Sequence, residues 1–138
     1  MLSIPTRVVR AGTAIVLAAL LAGCTTEASI NRRPHPGSAT ASIMNGVQQV
    51  TVTAGNTYRF DPSTITVHPG WVRIVLINTG SGAPHDWSLP GVGATVPLIG
   101  GGASSSVTFI APAPGRYPFV CTIHSAQGQT GTLVVLNR

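Results

Sequence analysis

Short runs of alternating apolar and polar residues fill the chain from Val47 onward, and turn-forming residues interrupt them about every eight to twelve positions. Val47, Val50 and Val52, with Thr51 and Thr53 between and beside them, predict a first strand closed by Ala54, Gly55 and Asn56. Tyr58, Arg59 and Phe60 lead to a turn at Asp61 and Pro62. Ile65 and Val67 then face away from Thr64 and Thr66, and Pro69 and Gly70 end that run. Residues 72–78 are apolar at nearly every position, as in a central strand. Residues 86–89 predict a short strand, residues 90–106 a loop around Gly100, Gly101 and Gly102, and residues 107–110 another strand. After the stiff turn at residues 111–115 come two last strands, one ending at Cys121 and one running from Gly131. The pattern predicts an all-β sandwich or barrel of about eight strands over residues 47–138, long enough for one modest core without disulfides. Trp71 and Trp87 are expected to be packing groups.

The N-terminal part reads differently. Arg7 and Arg10 precede a mostly apolar run from Ala11 to Ala22, too short to span a bilayer but suited to the core of a signal peptide. The run ends Leu21, Ala22, Gly23, Cys24, which resembles a bacterial lipobox, so residues 1–23 are expected to be a lipoprotein signal peptide and Cys24 the lipidated N-terminus. Residues 24–46 are rich in Ser, Thr, Ala, Pro, Asn and Gly and are expected to be a flexible tether. His35, between two prolines, reads as a solvated linker histidine, and His68, beside a turn, as an exposed loop residue.

Charge narrows the function. After removal of residues 1–23, six arginines stand against three acids, with no lysine. The positives are scattered, so nucleic-acid binding is not expected. Three acids leave almost no material for carboxylate catalysis, and no Ser/His/Asp set or phosphate loop is present. The chain is therefore expected not to be an enzyme. It has two cysteines, Cys24 and Cys121, so no disulfide is expected, and a lone body thiol in an exported protein is unusual unless it is used.

On a strand, Tyr117, Phe119 and Cys121 share one face, which turns the thiol inward with the aromatics. A thiolate facing a core is costly unless an ion binds it. His124 follows three residues later, within one tight turn of the same ion. A trigonal His₂Cys copper centre also wants a second histidine and a weak axial group, and His85 and Gln129 are the candidates. Pro84 restricts the Gly-rich loop that delivers His85. Zinc, the competing metal, prefers four strong ligands in a closed tetrahedron.

The stretch Tyr117, Phe119, Cys121, His124 resembles the copper loop of the cupredoxins, the blue copper proteins, in their plastocyanin-like pattern, and residues 131–135 resemble that family's last strand. The family's axial methionine position is Gln129 here. The resemblance implies a Greek-key β-sandwich, one type 1 copper ion, and His85, Cys121, His124 and axial Gln129 as its ligands. It also implies a tie between the residues after the first His and after the Cys, here Asp86 and Thr122.

The expected function is one-electron transfer between Cu(II) and Cu(I) outside the cytoplasm, by a protein anchored to a membrane through Cys24. A redox partner protein would dock near His124, with Ile123, Val92 and Leu98 as candidate apolar contacts. Copper capture, resistance or delivery is the alternative, and a copper-dependent oxidoreductase is a third reading that needs an open coordination position.

Overall fold

The computed structural model describes residues 37–138. The expected signal peptide, the lipidation site at Cys24, His35 and most of the expected tether lie outside the described residues. Eleven strands follow in order among the described residues: β1 (Ser38–Thr40), β2 (Ser42–Met44), β3 (Val47–Ala54), β4 (Phe60–Asp61), β5 (Thr64–Val67), β6 (Trp71–Asn78), β7 (His85–Leu89), β8 (Ala94–Ile99), β9 (Ser104–Ile110), β10 (Gly115–Val120) and β11 (Thr130–Val135). One sheet runs β1-β5-β11-β10-β7-β8, and the other β2-β3-β6-β9 with β4 on β3.

Both sheets are mixed. β5 lies parallel to β1 and β11, and β3 parallel to β6, while β10 and β11 form an antiparallel hairpin. The inward residues alternate as the sequence pattern requires: Val50, Val52 and Ala54 from β3, Ile65 and Val67 from β5, Val72, Ile74 and Leu76 from β6. Trp87, fully buried, packs against Phe119 and Phe109 at ring-centroid distances of 5.2 and 6.2 Å, and the Phe60 ring lies 5.5 Å from that of Phe119. This aromatic layer lies in the core beneath the end of β10.

The strand count exceeds the expected eight for two physical reasons. Residues 38–44, expected within the tether, are edge strands: β1 pairs with β5 and β2 with β3. An edge strand needs little apolar material, and Ala39 alone packs β1 against the core. Residues 94–106, expected as loop, contain all of β8 and the start of β9. Ala94, Val96 and Ile99 turn inward from β8, and Pro97 is accommodated because β8 is the outermost strand of its sheet. Trp71 is a further correction, since it is 54% exposed on the outer face instead of packed. His68 is exposed as expected, and its backbone exchanges two hydrogen bonds with the amide of buried Gln48.

Candidate metal centre

β6 ends on Asn78, a fully buried polar residue that organises the next loop from within. Its amide donates to the carbonyls of Ala83 (2.9 Å) and Ile99 (3.2 Å), and its oxygen accepts the Gly80 N–H (2.9 Å). The loop thereby has a set shape before Pro84 hands it to His85, the first residue of β7. All five residues of β7 are buried, which carries the His85 ring into the interior.

Cys121 follows directly on β10, and a compact turn returns the chain to β11. The Cys121 N–H donates to the Gln129 carbonyl (3.0 Å), and the carbonyls of Cys121 and His124 accept from the N–H groups of His124 and Gln129 (both 3.2 Å). Gly128 takes a left-handed conformation (φ 87°) at the end of a single 3-10 turn, Ser125–Gln127, as glycine does at little cost.

The two loops bring His85, Cys121 and His124 together, each with a ligand atom within 4.8 Å of the others. The Cys121 Sγ lies 3.5 Å from His124 Nδ1, and the two imidazole centroids are 5.0 Å apart. His85, Cys121 and Gln129 are fully buried, while His124 is half-buried and open on one side. Both nitrogens of His85 and both amide atoms of Gln129 are buried without a hydrogen-bond partner. Gln129 and the Gly55 backbone are nonetheless near enough to His85 to act on its pKa.

Such a concentration of orphaned polar atoms at one point is costly unless something completes them. A sulfur and two imidazoles gathered within 4.8 Å, with a buried, unpartnered amide beside His85, fit a copper ion, which takes a His₂Cys trigonal set with a weak axial group. Burial holds the His85 pKa below its ordinary value, opposed by the nearby Gln129 amide. Burial likewise pushes the Cys121 thiol up, with the Asp86 and Ile123 backbones opposing. Both shifts are the mark of donors kept out of water.

Asp86 and Thr122 are also brought together. The Asp86 carboxylate accepts from the Thr122 N–H (2.7 Å) and from its hydroxyl (2.6 Å), so the residue after His85 is bonded to the residue after Cys121. Of the apolar contacts expected around His124, Ile123 (49% exposed) and Leu98 (53%) are surface residues. Val92 is not among them: it lies in the turn between β7 and β8, at the opposite end of β7 from His85, and packs against the core.

Two site residues were not foreseen from sequence. The Tyr58 ring lies 4.6 Å from that of His124 and 6.0 Å from that of His85. Arg59 donates to the Gln127 carbonyl (2.5 Å), 68 positions away. Neither contact leaves a local signature, because each depends on how the β3–β4 connection folds over the metal loop.

Comparison with known proteins agrees with this geometry. The family model described as "Cupredoxin-like domain" matches residues 13–135. Among solved structures, dithionite-reduced auracyanin from the photosynthetic bacterium Roseiflexus castenholzii is similar, with 23% identity over 63% of this chain and 95% of its own, at a TM-score of 0.58. Auracyanin B gives 26% identity over 73% and 97%, with a TM-score of 0.57. The metal-binding domain of the Cu(I)-exporting P-type ATPase CopA of Streptococcus pneumoniae D39 gives 22% over 72% and 95%, with a TM-score of 0.61. No curated protein matches the chain. From the family match, the sandwich and the His–Cys–His cluster together, the chain belongs to the cupredoxin-like family, and its cofactor is one copper ion.

Proposed function

We propose that the protein is a one-electron carrier working outside the cytoplasm, with His85, Cys121 and His124 holding the copper and Gln129 as its weak axial ligand. The observation that carries this reading is the preformed donor set: three ligand atoms within 4.8 Å, two of their residues fully buried, on loops tied by Asp86 and Thr122. When bound, copper supplies a centre that alternates between Cu(II) and Cu(I). The chain's part is to hold its donors in one arrangement for both states, so that little reorganises on transfer.

Asn78 and Pro84 hold the His85 loop, and the backbone bonds of Cys121, His124 and Gln129 hold the other. Burial keeps water from the sulfur. His124, open on one side, offers the electron a short path to the surface, and Ile123 and Leu98 give a redox partner apolar contacts. Among the described residues no helix is long and apolar enough to cross a membrane. Attachment through a lipid on Cys24 is part of this proposal, as is export by the segment before it.

A second reading, copper capture or delivery, draws on the same half-open His124, which gives an ion a side by which to enter and leave. Copper titration with visible and EPR spectra, followed by challenge with a strong chelator, separates the two. An intense thiolate-to-copper band that fades slowly supports the carrier, and rapid surrender of the ion supports delivery. Metabolic labelling with a palmitate analogue, lost in Cys24→Ala, tests the anchor.

A further inference from the structure

The connection from β3 to β4 folds over the metal loop and touches it at two points. Tyr58 occupies the left-handed region at φ 53°, unusual for a residue with a side chain, and its N–H donates to the Gly55 carbonyl (3.0 Å). That turn lays its half-buried ring against His124 and within reach of His85. Arg59 then spans the gap with a single nitrogen, Nη1, which donates to the Tyr58 carbonyl (2.8 Å) and to the Gln127 carbonyl (2.5 Å).

The metal loop is shaped to receive it. A Cβ at Gly128 would come within 2.9 Å of the Arg59 guanidinium, and the backbone there is left-handed as well. The 3-10 turn thus leaves two positions, a free carbonyl and a bare α-carbon, into which the arginine fits. Unlike the Asp86–Thr122 bond, which joins the two ligand loops to each other, this contact comes from a segment that supplies no donor atom.

We propose that Tyr58 and Arg59 form a strap over the metal loop, Tyr58 positioning the His124 ring and Arg59 locking the turn that carries it. The strap rests on the copper reading above, and it sets how firmly the site keeps its ion and at what potential. A left-handed tyrosine is disfavoured by roughly 1–2 kcal/mol relative to glycine at such a position, so a residue placed there for folding alone is poorly chosen.

Tyr58→Gly removes the ring with its Cβ, at a backbone geometry that glycine adopts freely. In the copper-loaded protein it is expected to release copper to a chelator about tenfold faster and to shift the reduction potential and the thiolate-to-copper band, without loss of thermal stability. Tyr58→Phe, which keeps the ring, is expected to behave as the parent. Unchanged release, potential and band in Tyr58→Gly overturn the role of the ring, as does Tyr58→Phe behaving like Tyr58→Gly. The lock is read without copper: in metal-free Arg59→Ala, the amides of Gly128 and Gln129 are expected to exchange hydrogen about tenfold faster. Undiminished protection overturns it. A parent protein that shows no thiolate-to-copper band refutes the proposed function, while the exchange measurement still judges the strap.

Discussion

Asp86 and Thr122, 36 positions apart, are joined by two hydrogen bonds of 2.7 and 2.6 Å to one nearly buried carboxylate. They bring the strand that carries His85 to the turn that carries His124, beside Cys121. Charged acceptors make strong hydrogen bonds, so Asp86→Ala is expected to destabilise the domain by about 3 kcal/mol and to loosen the site. Asp86→Asn keeps an acceptor for the Thr122 N–H and removes the negative charge that acts on the Cys121 thiol. Its stability is expected to fall less and its reduction potential to rise, because a nearby anion favours Cu(II). Denaturant titration and voltammetry on the two variants check both statements.

Gln129 offers the test of the axial position. An amide oxygen is harder than a thioether and favours Cu(II), so Gln129→Met is expected to raise the reduction potential. A potential that stayed the same or fell would argue that the amide, though buried and unpartnered, does not reach the ion.

The metal-free protein should feel pH on both sides. His85 is held below its ordinary value of 6.5, so in acid the unfolded chain binds a proton that the fold resists, and stability falls as pH drops from 6.5 through the lowered pKa. Cys121 is held above its ordinary value of 9.0, so the fold retains a proton that the unfolded chain gives up, and stability falls as pH rises past 9.0. Urea midpoints across this range should describe a dome, and Cys121→Ala should flatten its alkaline side. An unchanged alkaline limb would assign that loss to another group.

Gly131 sits opposite Phe119 in the β10–β11 ladder, where a Cβ would collide with the phenyl ring and lie 2.5 Å from the Ser63 carbonyl. Gly131→Ala is therefore expected to cost about 3 kcal/mol or more through overpacking of strands that cannot separate. Thermal or urea unfolding gives the value. A neutral substitution would mean that the ring moves aside freely.

The sequence displayed the parts of this molecule that obey local rules. Alternation marked β3 and β5, a nearly continuous apolar run marked β6, the aromatic run before Cys121 marked β10, and the spacing of Cys121, His124 and Gln129 marked one turn. His85 was legible because a proline precedes it and a polar loop separates it from a strand. What stayed hidden depends on neighbours distant in sequence. β1 and β2 are strands only because β5 and β3 offer them open edges, and β8 is one in spite of Pro97 because no strand among the described residues pairs with its outer side. Trp71 looks like core from its composition alone, yet the register of β6 turns it outward beside Ile110 of β9. Tyr58 and Arg59 reach the site through a turn whose left-handed tyrosine no propensity would suggest.

Within the apolar cluster of the described residues, Cys121 is the only member that also offers a donor atom to the metal site; the others, from Val50 to Val135, interlock by shape. Manufacture of the vessel is therefore expected to be uncoupled from supply of its contents, so that an empty copy reaches its final form, waits through a shortage of the element, and accepts it later without being remade.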